Sequence, residues 1–208
     1  MATADAPYNM SFTAGALLYR ESMIVAELTD QTPDWDTVRG QVFANNLLQM
    51  RTPGASQRIF REVKARLQQL TPAESRLLLD GSRQEQNLLL WLAICLRYRF
   101  IKEFAVEVLT EKILRLDFEV SYEDYDVFFN AKAEWHREVE GVMPSTRSKL
   151  RQIVFRMMRE AELLSADNHI VPTVMTPRLA EVIGQDDLAH LAVFPMANPQ
   201  LSYQALRP

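Results

Sequence analysis

The sequence has little of several features that define whole classes of proteins. It contains one cysteine, Cys95, so no intramolecular disulfide can form, which fits a reducing compartment. Only six of its 208 residues are glycine. The glycine-rich phosphate-binding loops GxxxxGK(S/T) and GxGxxG do not occur in it, nor does the serine-hydrolase motif GxSxG. We therefore expect no enzymatic activity and no cofactor.

Patterns of metal ligands are also missing. His136, His169 and His190 lie far apart and lack the spacing of metal ligands, and HREVE (residues 136–140) is not the HExxH pattern of metalloproteases. The acidic stretch YEDYD (residues 122–126) lacks the spacing and the glycine of a calcium-binding loop. The sequence thus predicts no catalytic residue and no metal site.

No hydrophobic run is long enough to span a membrane. The longest, LLLWLAICL (residues 88–96), has nine residues and is followed by Arg97 and Arg99, whereas a bilayer requires about 20. The opening MATADAPYNMSF lacks the basic segment and apolar run of a secretory signal. We expect a cytoplasmic protein without a membrane span, in which residues 88–96 form a buried helix.

What the sequence does have is helical periodicity, since apolar residues recur at helical spacing over most of its length. We predict a mainly α-helical bundle with helix-turn-helix and winged-helix-like elements and at most a short β-hairpin. The predicted regions are helix-turn-helix-like (1–80), a helical core with an acidic face (81–140) and winged-helix-like (141–208). They form either separate units or one compact domain.

The stretch RTPGASQRIFREVKARLQQL (residues 51–70) is unusually basic for an acidic protein. The formal net charge of the chain is −4, yet residues 51–66 carry five cations and a single carboxylate, Glu62. We predict that Ser56 caps a helix running to about Leu70, after a helix at 34–48 and a turn at 52–54. An advance of 100° per residue puts apolar side chains on one face. Cationic and amide side chains occupy the outer face and the turn: Arg51, Gln57, Arg58, Arg61, Lys64 and Gln68.

Such a face suits a nucleic acid, because cations neutralise phosphates and amides bind base edges. With the preceding helix it forms a predicted helix-turn-helix whose second helix reads duplex DNA. The alternative is an ordinary solvated surface, or one paired with the acidic residues 117–140.

A second basic helix is predicted at residues 146–164. Its buried side is apolar, and its outer side and margin carry Arg147, Lys149, Gln152, Arg156 and Arg159. The following residues, 168–176, predict a hairpin made of two extended pieces at 169–171 and 173–175. A basic helix followed by a hairpin is the order of a winged helix, although a solvated helix packed on the core would show the same charges.

Three stretches together resemble a known family: YNMSFTAGALLYRESMIVAEL (8–28), RTPGASQRIFREVKARLQQLT (51–71) and STRSKLRQIVFRMMREAELL (145–164), the last followed by HIVP (169–172). They are similar to the BrxA family of bacteriophage-exclusion (BREX) defence loci, and the likeness covers roughly residues 12–183. The resemblance implies a mostly helical, non-enzymatic phage-defence component that binds DNA through helix-turn-helix elements and acts with other BREX proteins.

We therefore predict a DNA-binding component of a BREX-type system that binds duplex DNA with limited sequence specificity. Two alternatives remain, namely a protein-interaction adaptor that uses the acidic residues 117–140, and an RNA-binding helical bundle. The oligomeric state and the choice between the two basic helices stay open at this point.

Overall fold

The computed structural model describes residues 7–13 and 16–196. Eleven α-helices, a π-helical turn (Ala105–Leu109) and a 3₁₀ helix (Leu188–Val193) make up this part of the chain. The predicted mainly α-helical class is confirmed. The helices are α1 (Tyr19–Gln31), α2 (Trp35–Ala44), α3 (Pro53–Leu67), α4 (Pro72–Asp80), α5 (Arg83–Arg97), α6 (Arg99–Phe104), α7 (Thr110–Leu114), α8 (Tyr122–Ala133), α9 (Arg137–Glu140), α10 (Pro144–Glu160) and α11 (Pro177–Asp186).

Helix α5 is the buried centre of the fold. Every residue from Glu85 to Cys95 is buried, and the run 88–96 within the helix is apolar on all sides, as expected for a buried helix. The indole of Trp91 donates a hydrogen bond to the carbonyl oxygen of Val193 over 3.0 Å. Helices α1, α3, α4, α6 and α10 and the 3₁₀ helix all contact α5. Residues of all three predicted regions contribute to one hydrophobic core, and the division into regions stays a prediction.

No helix in the described part of the chain combines the length and the apolar character that a bilayer span requires. The apolar run 88–96 ends one residue before the end of α5 at Arg97, and neighbouring helices contact α5.

The start of α3 differs from the prediction. Thr52, rather than Ser56, is the N-cap, and its Oγ1 accepts a hydrogen bond from the N–H of Ala55 over 3.2 Å. Pro53 occupies the first helical position, for which its fixed φ is already suited, so the helix begins three residues before Ser56. Ser56 is buried inside the helix and its hydroxyl has no hydrogen-bond partner.

The sequence predicts a loose tail at residues 1–10, but within its described part Tyr8 and Met10 pack against the core. Apolar residues recur at helical spacing between Phe12 and Leu28 and predict a helix over 12–28. In the structure α1 begins only at Tyr19, after Leu18, which has a left-handed φ of 59°. Tyr8 is buried, and its backbone N–H donates to Glu138 Oε1 over 2.6 Å while its hydroxyl donates to Glu103. Residues 1–6 of the predicted tail, like 197–208, lie outside the described residues.

The predicted hairpin has different partners. Ile170 forms an antiparallel bridge with Leu164, not with a residue of 173–175, and Thr173 instead forms a parallel bridge with Met196. The turn of the hairpin lies at Asn168, whose left-handed φ of 65° suits an asparagine. A short hairpin of 163–165 and 169–171 therefore follows α10 directly, and Glu119 forms a further bridge beside it.

We expect Thr52→Ala to lower the free energy of unfolding by about 1 kcal/mol, because the first turn of α3 loses its cap. Ser56→Ala should leave that free energy unchanged or raise it, because it removes an unpartnered buried hydroxyl. Urea unfolding with an unchanged m value measures both. If Ser56→Ala lowered the free energy of unfolding more than Thr52→Ala, the result would support Ser56 as the N-cap.

Candidate nucleic-acid interface

Helices α2 and α3 pack against each other through an aromatic pair, Phe43 and Phe60, whose ring centroids lie 5.5 Å apart. The connection between them covers residues 45–52 and is longer than the usual 3–4-residue turn of a helix-turn-helix. Within this connection Asn46 has a left-handed φ of 43°, and its Oδ1 accepts a hydrogen bond from the N–H of Met50 over 3.1 Å. The pair has the predicted order, and its assignment as a helix-turn-helix stays a prediction.

The one carboxylate of α3 faces inward. Glu62 Oε1 accepts a hydrogen bond from Arg66 Nε over 2.6 Å and lies 2.7 Å from the hydroxyl of Tyr98, which donates to it. Arg66 is only 2% exposed, and its Nη1 donates to the carbonyl oxygen of Ala16 over 2.8 Å. The pair therefore neutralises itself inside the fold and leaves the other cations of α3 uncompensated on the outside.

Tyr98 completes this buried network. Its burial, with the adjacent charge of Glu62, raises the pKa of Tyr98 well above its ordinary value. The phenol consequently stays protonated and keeps donating to Glu62. The network joins α3 to the residues just before α1 and to the junction of α5 with α6, which fixes how α3 rotates about its own axis.

The outer face of α3 lies in solvent, except at Lys64. No ion pair of the described residues involves a cation of this face. Arg61 only donates, through Nε, to the carbonyl oxygen of Gln57 over 3.4 Å. Gln57, Arg58 and Arg61 of this face are exposed, as are Arg51 just before α3 and Gln68 just after it.

Lys64 is the half-buried member of the same face. Its ammonium group lies 5.1 Å from the ring centroid of Trp35 at the start of α2, a cation–π contact. The pKa of Asp34 is lowered, mainly because Thr37 donates hydrogen bonds to its carboxylate. The nearby ammonium group of Lys64 adds to this lowering. Lys64 thus keeps its charge at the surface while its side chain helps to join α2 to α3.

A surface pocket of about 290 Å³ opens between the end of α2 and the start of α3. Its lining combines the apolar side chains of Phe43 and Met50 with the polar groups of Asn46, Arg51 and Gln57. Two of the predicted site residues therefore meet at its rim, next to the first turn of the basic helix.

Helix α10 presents its charges differently. Arg147 Nη2 lies 2.9 Å from Asp126 Oδ1 of α8, and its Nη1 donates to Asn130 Oδ1 over 2.8 Å. Arg151 pairs with the other oxygen of the Asp126 carboxylate. Both guanidinium groups are half-buried, so the acidic region compensates the first turns of α10. From the sequence, such pairing was considered for the helix at 51–70, whereas the alternative for this helix was a solvated surface.

Further along α10, the arginines are also engaged. Arg156 Nε lies 2.7 Å from Glu160 Oε1, and Arg159 Nη1 donates to Asn168 Oδ1 over 2.7 Å. Lys149 and Gln152 are exposed and take no part in the ion pairs and hydrogen bonds of the described residues. The two predicted sets of cations therefore lie on separate helices. Those of α3 form no ion pair within the described part of the chain, whereas Arg147 and Arg156 of α10 are paired with carboxylates.

Three contributors to the α2–α3 surface were not on the predicted list. Arg39 lies on α2 with its guanidinium 5.5 Å from the ring centroid of Phe43, and it extends the cationic surface onto that helix. Asn46 and Thr52 shape the connection and the pocket. The i, i+4 spacing of Arg39 and Phe43 was readable in the sequence, but the pocket depends on how the two helices pack.

Comparison with known proteins places this chain among relatives. A sequence model of the family described as BrxA matches residues 6–187. This chain belongs to the BrxA family. The resemblance to the BrxA family of BREX defence loci is therefore confirmed.

Two relatives extend this result. The chain is 25% identical over 181 residues to a protein of Escherichia coli O9:H4 (strain HS) named BREX protein BrxA, covering 84% of each. It is also similar to the crystal structure of a protein from Magnetospirillum magneticum, with a TM-score of 0.78 and 18% identity, over 93% of this chain and 100% of that one. At this identity the second likeness concerns the fold alone.

We expect Arg66→Ala to reduce the free energy of unfolding by at least about 3 kcal/mol, because it leaves the Glu62 carboxylate largely buried without its cation. Arg58→Ala, on the exposed face of the same helix, serves as the matched control and should change it by less than about 0.5 kcal/mol. Urea unfolding at neutral pH measures both. Equal effects of the two substitutions would contradict the role assigned to the buried network.

Proposed function

We propose that this BrxA-family protein is a non-enzymatic component of a BREX-type phage-defence system and binds duplex DNA through its basic helices. The observation that carries the proposal is the outer face of α3 with the end of the connection before it, where Arg58, Arg61 and Arg51 are exposed and form no ion pair with a described carboxylate. Cations of this kind contribute affinity by releasing the counterions of DNA phosphates.

The composition of this face favours limited sequence specificity. Arginine and lysine side chains outnumber the two amides, Gln57 and Gln68, which are the groups suited to bidentate contact with adenine. Phosphate contacts set position and affinity but do not carry sequence information. We therefore propose that the protein binds unrelated duplexes with similar affinity.

Helix α10 is the companion surface in this proposal. Lys149 and Gln152 are free to contact a phosphate or a base, whereas Arg147 would first have to leave Asp126. Exchanging one ion pair for another yields less net free energy than engaging an unpaired cation, because the original pair is lost. For this reason α3 ranks as the main DNA contact.

We expect the double substitution Arg58→Gln, Arg61→Gln to weaken binding to all duplexes alike. The slope of log K against log salt should become less steep by about two, because each lost phosphate contact removes about one. Fluorescence polarisation with unrelated duplexes over a salt series measures affinity, specificity and slope together.

Lys149→Gln is the matched control for this experiment, since it removes an exposed cation from the other basic helix. A loss of affinity larger than that of the double variant would make α10 the main contact. Preference for structured RNA over duplex DNA at equal salt would favour the RNA-binding alternative. Absence of binding to both would exclude nucleic-acid binding.

A protein-interaction adaptor is the second candidate, and one observation favours it. Trp135, after the end of α8, is 83% exposed, and Met143, before α10, is 67% exposed. Exposed tryptophan is typical of the residues that dominate binding energy at protein interfaces.

If the adaptor function is correct, Trp135→Ala should weaken co-purification with other BREX proteins by at least about tenfold. It should leave the unfolding free energy within about 0.5 kcal/mol of the parent protein, because the side chain is almost fully solvated. Quantitative pull-down and sizing chromatography measure the first effect, and urea unfolding the second. Unchanged co-purification would argue against an adaptor surface at this position.

A further inference from the structure

A histidine and two carboxylates from distant parts of the chain meet beside α4. Glu74 lies in the first turn of α4, Asp186 is the last residue of α11, and His190 lies in the 3₁₀ helix. One possible ligand atom of each lies within 4.8 Å of the other two. The sequence predicted no metal site at His190, because the three histidines lie far apart, and more than a hundred residues separate Glu74 from Asp186.

The carboxylate of Glu74 is the unusual member of this cluster. Glu74 is fully buried, and its Oε2 accepts a hydrogen bond from the N–H of Thr71 over 2.8 Å in a capping box. Its Oε1 is buried and has no hydrogen-bond partner. A buried carboxylate oxygen without a partner is costly, and capping α4 requires only the other oxygen.

The imidazole of His190 faces the same place. Its side chain is 12% exposed, and its Nδ1 lies 3.2 Å from Asp186 Oδ2. Nδ1 is nevertheless buried without a properly directed hydrogen bond. The separation is close to the roughly 3.3 Å between two ligands of a tetrahedral zinc ion with bonds of about 2.0–2.1 Å.

The charges also leave room for a cation. Among the ion pairs of the described residues, none involves Glu74, and Asp186 takes part only in the pair with His190. Two carboxylates and a neutral imidazole carry a charge that a divalent ion balances. An imidazole nitrogen among the ligands favours zinc over magnesium or calcium, which prefer oxygen.

We propose that Glu74, Asp186 and His190 bind one divalent transition-metal ion, with Zn²⁺ as the best match. Glu74 supplies Oε1, His190 supplies Nδ1 and Asp186 supplies Oδ2. The side chain of Asp186 is 38% exposed, so a water molecule reaches the remaining coordination position from that side. The ion joins α4 to α11 and the 3₁₀ helix, and it does not depend on DNA binding.

The test uses the full chain, stripped of metal with a chelator and then titrated with zinc chloride. We expect one zinc per chain after gel filtration, measured by elemental analysis. The melting temperature should rise by about 5–10 °C at a hundredfold excess of zinc over its Kd. His190→Gln should abolish both effects.

Asp186→Asn is a second variant. Its side chain is exposed, so the fold should stay intact, and zinc binding should weaken at least tenfold. His169→Gln is the matched control, because His169 Nδ1 also pairs with a carboxylate, Asp167, at 3.1 Å, but lies at the surface without a buried third group. That control should keep full zinc binding. The proposal is overturned if the parent binds no zinc at micromolar concentration, or if Asp186→Asn and His190→Gln bind it as the parent does.

Discussion

The buried guanidinium of Arg66 is the contact on which the orientation of α3 depends. It joins the only carboxylate of that helix to the backbone before α1, and Tyr98 donates to the same carboxylate from the end of α5. A charge this deep is tolerated only when its partners are placed well. Since they lie on one side of α3, the helix has one acceptable rotation, and its remaining cations face solvent.

The two basic helices show that equal charge patterns lead to different surfaces. On α3, Glu62 is paired with the buried Arg66 and leaves the exposed cations without an ion pair among the described residues. On α10, the carboxylate of Asp126 lies beside the first two turns and forms ion pairs with Arg147 and Arg151. Local charge counts do not distinguish these cases, because the deciding carboxylate on α10 comes from another helix.

Much of the fold was predictable because its causes are local. The capping box of Thr71 with Glu74, the helix over the apolar run 88–96 and the helix break before Arg99 depend on residues close together in the sequence. The predictions were wrong where a residue distant in the sequence determines the local structure. Arg66 donates to the carbonyl oxygen of Ala16 in the segment before α1, and Ile170 pairs with Leu164 beside the segment around Glu119.

The three tryptophans happen to sample three separate surroundings. Trp91 is fully enclosed in the core, Trp35 lies beneath the ammonium group of Lys64, and Trp135 stands almost entirely in water. The wavelength of indole emission depends on the polarity around the ring, so each tryptophan should have a different emission maximum. The chain therefore carries its own optical reporters for its interior, for the side of α3 and for the far end of α8.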